Sequence, residues 1–208
     1  MRENVDARVA ELLISRMCHE LVGPLGAVCN GLELAGEGGE FAEEALTMSE
    51  ACANQLSSRV KFFRIAYGMA GRIVTNAPEL RSLAIAFLEE SDAALEWPMP
   101  PVAPSLREGE GKLLLNMICI AEDCLPRGGV VKVNLEGVDI TVEAHGKSAS
   151  LAPEMEQILE GQAVDSSLDE LSPRNVHFYW GGVVAARTGR RLRWEHLPGG
   201  VGVSFRAI

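Results

Sequence analysis

The residue of this sequence with the clearest chemical potential is His19, in the segment Ser15-Arg-Met-Cys-His-Glu-Leu-Val-Gly-Pro-Leu-Gly26. A neutral imidazole is a nucleophile, so an accessible histidine can carry a covalent intermediate. At about 100° per residue, the side chains that share its helical face are all small: Ser15, Gly23, Gly26 and Asn30. The pattern predicts an imidazole on an open surface, where these four residues and Arg16, one turn earlier, would contact a partner.

The helix that must position His19 carries apolar side chains on its opposite face, three or four residues apart: Leu13, Met17, Leu21, Leu25, Val28 and Leu32. This periodicity predicts an amphipathic helix from about residue 4 to residue 35, with that face buried. Gly36-Glu-Gly-Gly39 then ends the helix and permits a tight reversal. Inside the helix, Pro24 removes one backbone hydrogen bond, which predicts a bend one turn after the histidine.

A second helix follows, with a heptad-like apolar seam formed by Phe41, Ala45, Met48, Cys52, Leu56, Val60, Phe63, Tyr67 and Ala70. Two helices joined by a short loop form an antiparallel hairpin. A hairpin of this kind has more apolar surface than it can bury alone, which predicts a homodimer in which two hairpins form a four-helix bundle. The alternative is that the seam packs against the C-terminal part of the same chain.

The second half of the chain mixes helical and strand patterns. Asn76-Ala-Pro78 follows a boundary that divides the chain into a hairpin, residues 1–74, and a second domain, residues 75–208. Helical patterns cover 79–91, 111–125, 151–159 and 175–188, and strand patterns cover 130–135, 138–144, 191–195 and 201–206. Prolines indicate a linker or edge segment at 97–104, and 161–172 is expected to be irregular. The predicted fold class is therefore α + α/β, a helical hairpin followed by an α/β sandwich.

Composition excludes several classes of function. The 208-residue chain has a net charge of −10 and no dense basic run, which argues against nucleic acid as a ligand. Its five cysteines form no CxxC pair, so neither a disulfide framework nor a metal site is indicated. No apolar run approaches the roughly 20 residues that cross a bilayer, and the N-terminus lacks a secretory signal. We expect a cytoplasmic protein with neither a membrane nor a nucleic-acid partner.

The remaining polar residues carry weaker signals. His145, His177 and His196 have no carboxylate or cysteine at motif spacing, so we interpret them as structural or surface histidines. On the second helix Arg59, with its neighbours Lys61 and Arg64, could contact an acidic pocket of a partner or belong to a solvated face. Cys18 does not turn His19 into a metal site, because adjacent helical residues seldom converge on one ion.

The segment around His19 resembles the H-box of sensor histidine kinases, His-Glu-Leu-Arg-Thr-Pro-Leu, which here is His19-Glu-Leu-Val-Gly-Pro-Leu25. The resemblance implies that His19 is a phosphoacceptor and that Glu20 orients its imidazole or takes its proton. A solvated or capping carboxylate is the alternative for Glu20. Arg16 could attract the charge of the phosphoryl group, with a solvated arginine as the alternative. Gly23 stands where kinases with phosphatase activity keep a polar residue that aims a water, so we expect little phosphatase activity.

The second half resembles the ATP-binding domain of the same kinases, with its nucleotide-contacting residues replaced. The family places two asparagines four residues apart on one helix; Asn116 matches the first, and Ile120 replaces the second, which holds magnesium. Isoleucine offers no oxygen to a hard cation. Ala144 stands where the family has its adenine-binding aspartate, and Ser148 replaces the last glycine of that loop. The resemblance thus implies a nucleotide-binding shape without nucleotide chemistry.

Together the two halves resemble the ChpT family of dimeric histidine phosphotransferases. That resemblance implies transfer from the aspartyl phosphate of a hybrid-kinase receiver domain, of the CckA type, through His19 to response regulators of the CtrA and CpdR types. The magnesium ion would be bound by the receiver, and this chain would bind no cofactor or metal. Two alternatives remain: a non-catalytic module that binds receivers or kinases, and a divergent ATP-dependent histidine kinase.

Overall fold

The computed structural model describes residues 7–68, 74–89, 91–100, 105–137, 139–160 and 165–208. It begins with two long helices, α1 (Ala7–Glu37) and α2 (Ala42–Ala66), which pack against each other as the predicted hairpin. Between them the chain reverses at Gly38 and Gly39, whose φ angles of 73° and 99° lie in the region that favours glycine. The predicted start of the first helix and Ala70 of the predicted seam lie outside the described residues.

Helix α1 continues through Pro24, so the proline does not divide it. Because proline has no N–H group, the carbonyl of Glu20 loses its helical donor at this position. Farther along, Gly31 lies against α2: a Cβ there would be 2.1 Å from the Ser49 hydroxyl oxygen and 3.0 Å from the Ala45 carbonyl oxygen. The absence of a side chain at Gly31 therefore lets the two helices approach closely.

The chain after the hairpin has five strands and four α-helices within the described residues. The helices are α3 (Ala77–Leu88), α4 (Glu110–Asp123), α5 (Pro153–Glu160) and α6 (Val176–Arg187). The strands are β1 (Ala93–Glu96), β2 (Gly129–Glu136), β3 (Asp139–His145), β4 (Leu192–His196) and β5 (Gly202–Ala207). They form one sheet in the order β1-β2-β3-β5-β4, in which β1 and β2 are parallel and the other pairs antiparallel. Helices α4 and α6 pack on this sheet, so the predicted α/β sandwich is confirmed.

Two short segments differ from their sequence predictions. Strand β1 was missed, because its sequence Ala-Ala-Leu-Glu lacks the β-branched residues that identify a strand, and it exists through its pairing with β2. The segment predicted to be irregular contains a 3-10 helix at Asp165–Glu170, while residues 161–164 lie outside the described residues.

Within the described residues, the hairpin joins the sandwich at the end formed by the start of α1 and the end of α2. Val9 and Leu13 of α1, and Phe62, Phe63 and Ala66 of α2, belong to the same hydrophobic core as the interior of the sandwich. At this end the seam packs on the chain's own C-terminal domain, which was the alternative to packing in a dimer. The hairpin and the sandwich therefore share one core.

Away from that end, the predicted apolar stripe of α1 is not buried within the chain. Leu25 and Leu32 are 49% and 52% exposed, and on α2 Met48 is 63% exposed. The prediction that the whole stripe is buried was wrong for one copy of the chain. The buried face of α1 carries Val9, Leu13 and Arg16, and of these three residues only Leu13 belongs to the predicted stripe.

The prediction that no apolar segment is long enough to cross a bilayer does not hold for helix α1. Among the described residues, it is the one helix long and apolar enough to cross a bilayer, with an 18-residue window of mean hydropathy 1.2. Length and composition are weak evidence by themselves, since core helices of soluble proteins meet the same test.

Candidate functional site

His19 lies near the middle of α1 with its side chain exposed. The neighbours on its face, Ser15, Gly23 and Asn30, are exposed as well, and Gly26 is half-buried. A Cβ added at Gly23 or Gly26 would meet no atom within 4 Å, so packing within the chain does not require glycine at either position. The structure therefore places the histidine on a surface that this chain leaves open.

Arg16, one turn before His19, lies beneath this surface. It is 8% exposed, and its guanidinium forms an ion pair with Asp123 at 3.1 Å and donates to the carbonyl of Arg174 at 3.3 Å. Burial would lower the pKa of Arg16, but the neighbouring Cys119, Asp123 and Tyr67 raise it overall, so the guanidinium stays charged. The alternative of a solvated arginine was wrong, because Arg16 connects α1 to the end of α4.

Asp123 also contacts a buried histidine. The Nε2 atom of His177 lies 2.6 Å from a carboxylate oxygen of Asp123, and the His177 side chain is 1% exposed. Burial would raise the pKa of Asp123, but His177 and Arg16 outweigh it and lower that pKa below its usual range. Complete burial lowers the pKa of His177. The cluster therefore pairs Asp123 with both Arg16 and His177, and the buried His177 is a structural histidine.

Glu20, the residue after His19, forms an ion pair with Arg59 of α2. Arg59 in turn lies over the ring of Phe87 on α3, with 5.9 Å between its guanidinium carbon and the ring centroid. Both charged side chains are partly buried, at 29% and 18% exposure, so Glu20 is not a freely solvated carboxylate. That Glu20 orients the imidazole stays a prediction.

Glu122, beside Asp123, is the last member of the charged junction between α1 and the sandwich. The other members are Arg16, Glu20, Arg59 and Asp123. Burial raises the pKa of Glu122 to about 7, and the negative charges of Asp123 and Glu20 add to the effect. Sequence reasoning passed over Glu122, Asp123 and the pairing of His177. A usable signal was present, because two acidic residues at the C-terminal end of a helix are unfavourable with the helix dipole unless a cation compensates them.

The positions that contact nucleotide in kinases have other roles here. The side chain of Ile120 is fully buried in the core, and a Cβ on Gly181 would lie 2.7 Å from its Cδ1 atom. Ala144 is also fully buried, within strand β3. The amide of Asn116 donates to the carbonyl of Ala66 at 2.9 Å, at the end of α2. Asn116, which matches the asparagine of the kinase motif, therefore connects the hairpin to the sandwich through a hydrogen bond.

Metal ligands are not assembled in the described part of the chain: no three His, Cys, Asp or Glu side chains there are grouped so that they could hold an ion. Cys18, beside His19, is exposed. Of the other histidines, His145 lies 2.8 Å from Glu143 and His196 lies 3.3 Å from Glu156, both within the sandwich.

A helical hairpin that displays a histidine, joined to an α/β sandwich, defines this molecule as a protein of the histidine phosphotransfer class. A family model described as the histidine phosphotransferase C-terminal domain matches residues 77–198. The protein phosphotransferase ChpT of Brucella abortus (strain 2308) is 32% identical over 187 residues, which cover 87% of each chain. A solved structure described as a bacterial phosphotransferase superposes with a TM-score of 0.80 at 28% identity, covering 96% of this chain and 95% of that one.

The chain therefore belongs to the ChpT-type histidine phosphotransferases, and it is a protein phosphotransferase. The family recognised from the sequence is confirmed. The boundary predicted at residue 74 stays a prediction, although the matched family region and helix α3 both begin at residue 77.

Proposed function

We propose that this protein relays a phosphoryl group through His19, taking it from the aspartyl phosphate of a hybrid-kinase receiver domain of the CckA type. The phosphoryl group then passes to response-regulator receivers of the CtrA and CpdR types. The observation that carries the proposal is the exposed imidazole at the centre of a face of small residues, in a chain that belongs to a phosphotransferase family. Ser15, Gly23, Gly26 and Asn30 form the surface on which the receiver docks.

The chemistry needs one nucleophilic nitrogen and one activated phosphoryl group. A ring nitrogen of His19 attacks the phosphorus atom, a phosphorus–nitrogen bond forms, and the bond to the aspartate oxygen breaks, so that the carboxylate leaves with the electron pair. Transfer to the next receiver reverses these steps. In-line positioning and neutralisation of charge control such transfers, and the magnesium ion that serves the second need is expected on the receiver.

ATP has no role in the proposed reaction. Three features support this part: the apolar side chain of Ile120 in the core, the buried Ala144, and the commitment of Asn116 to the carbonyl of Ala66. A divergent kinase would need an oxygen ligand for magnesium at position 120, and isoleucine has none.

We propose a homodimer for the native assembly, with the hairpins of two copies packed as a four-helix bundle. Large apolar side chains are exposed on both helices: Ile14, Val22, Leu25, Leu32, Leu46 and Met48. Contiguous exposed apolar surface is typical of an interaction site, and a second hairpin would cover it. Dimerisation would also account for the hydropathy of α1, so we propose a cytoplasmic protein.

The test is phosphoryl transfer from pre-phosphorylated hybrid-kinase receiver domains to the wild type and to His19→Ala, with ATP alone as a control. Label on the wild type, its absence from the variant, and no label from ATP are the expected results. Labelling by ATP would identify a kinase. Receivers that bind the wild type without labelling it would instead identify a non-catalytic regulator.

A further inference from the structure

Two charged side chains of helix α1, one on each side of His19 in the sequence, form ion pairs with other helices. Three residues before His19, Arg16 extends to the C-terminal end of α4; one residue after it, Glu20 extends to α2. Both side chains leave the helix on the same flank of the open face, at about 60° and 100° from the direction of His19. The backbone that carries the histidine is therefore anchored along one side.

Arg16 makes the connection to the sandwich. Its Nη2 atom lies 3.1 Å and 3.3 Å from the two carboxylate oxygens of Asp123, while Nη1 donates to the carbonyl of Arg174 just before α6. Planar guanidinium groups suit such multiple contacts, since their donors are held in a rigid fork. One side chain thus ties the turn before His19 to both helices that cover the sheet.

We propose that Arg16 and Asp123 are positioning residues for phosphotransfer, and that the sandwich is retained as a brace which holds His19 in line with the phosphoryl group. The proposal rests on the proposed function of His19. It assigns to the former nucleotide-binding domain a mechanical contribution to the reaction in place of a chemical one.

Stability alone does not account for this contact. Burying the Arg16 guanidinium costs free energy that its pairing with the more exposed Asp123 only partly returns, and well-packed apolar replacements of buried ion pairs are often as stable. In-line transfer, in contrast, is sensitive to position: a displacement of about 1 Å can slow a reaction about a hundredfold. A partly buried ion pair one turn from the nucleophile therefore affects the rate more than it affects the fold.

The experiment measures single-turnover transfer from a phosphorylated receiver domain to the full-length protein, as a function of receiver concentration. For Asp123→Asn we expect the rate at saturating receiver to fall about tenfold or more, with the half-saturating concentration unchanged, because the docking surface is untouched. Arg16→Met, which keeps an unbranched side chain and removes the guanidinium, should reproduce this loss. Arg16→Lys should restore part of the rate.

The matched control is Glu110→Gln. Glu110 and Arg190 form a buried ion pair within the sandwich, with oxygen and nitrogen 2.6 Å apart, at the opposite end of α4 and about 20 Å from Asp123 along that helix. Glu110→Gln should lower thermal stability and leave the saturated rate unchanged. It therefore separates loss of stability from loss of positioning.

The double variant Arg16→Met/Asp123→Asn decides whether one contact is responsible. If Arg16 and Asp123 act through each other, its rate matches that of the slower single variant; independent effects would multiply and overturn the proposal. Saturated rates equal to wild type, or a change in half-saturation alone, would also overturn it. A wild type that takes no label contradicts instead the proposed function of His19, so the two failures are distinguishable.

Discussion

Helices α1 and α4 differ in how the chain uses them. Of the 31 residues of α1, three are buried in one copy of the chain; of the 14 residues of α4, eleven are buried. In the kinases that this protein resembles, both helices carry chemistry, the phosphoacceptor on one and magnesium ligation on the other. Here the proposed phosphoacceptor lies on the helix that stays exposed, whereas α4 lies at the centre of the hydrophobic core, with apolar Ile120 at the position matched to the magnesium ligand of those kinases.

Removing the imidazole has the largest expected effect. His19→Ala should abolish transfer entirely, because the nitrogen that would bond to phosphorus is gone. Its thermal unfolding should match that of the wild type, since the side chain is exposed and surface substitutions usually change stability by less than about 0.5 kcal/mol. Radiolabel transfer and a melting curve on the same preparations measure both. Residual transfer by the variant would move the phosphoacceptor away from His19.

Placing at position 120 of α4 the asparagine found in the kinases should lower the stability of the protein, whereas removing His19 should lower its activity. Ile120→Asn buries an amide without a partner and removes apolar contacts, so the free energy of unfolding should fall by about 2–4 kcal/mol in urea denaturation. The variant should still fail to bind magnesium-ATP. Ile120→Val is the control and should cost about 0.5–1.5 kcal/mol. An Ile120→Asn protein as stable as wild type would show that position 120 is not part of a tight core.

Charging the exposed stripe of α1 should affect assembly and leave the fold of each chain intact. Leu25→Glu should raise the dimer dissociation constant at least about tenfold, since a buried carboxylate would face apolar side chains of the second hairpin. Sedimentation equilibrium measures the change, and circular dichroism checks the helix content. Ser57→Glu, at an exposed polar position of α2, is a control. A dimer unaffected by Leu25→Glu would place its interface elsewhere.

The smallest effect concerns the charged junction between the two regions. Because the pKa of Glu122 is raised to about 7, the folded chain binds a proton that the unfolded chain releases between pH 4.5 and pH 7. This carboxyl therefore lowers stability as pH rises through that window. Around it lie Asp123 and Glu20, which favour the protonated form, and Arg16 and Arg59, which oppose it.

Glu122→Gln should accordingly stabilise the protein by about 1 kcal/mol at pH 8 and have little effect at pH 4.5, since glutamine stays neutral throughout. Thermal unfolding of the variant and the wild type at the two pH values checks both the size and the sign. A variant that is equally stable or less stable at pH 8 would show that Glu122 is ionised at no cost in the folded protein.

Most of the architecture could be predicted because it follows from local patterns. The hairpin follows from apolar periodicity and from the glycines at its turn, and the paired strands follow from β-branched runs. Strand β1 could not be predicted, because its residues favour a strand only when β2 lies alongside. The exposed setting of His19 and its small neighbours was also predictable, since a helix fixes which side chains share a face.

The surroundings of Arg16 depended on long-range contacts. Its partner Asp123 lies 107 residues away in sequence, and helical spacing indicates only the direction in which a side chain leaves the helix. The same holds for Asn116, which was singled out by its match to a kinase motif. In the structure its amide donates to the carbonyl of Ala66, so it joins α4 to the end of α2.

Residue types and their spacing are enough to predict an exposed histidine on an open helical face, a helical hairpin and an α/β sandwich. These features are local, because each depends on residues that lie close to one another in the sequence. The tertiary structure determined which half of the hairpin is buried and which charges pair with Arg16 and Glu20 beside His19. Burial and ion pairing join distant segments, so they exist only after the hairpin and the sandwich have packed into one core.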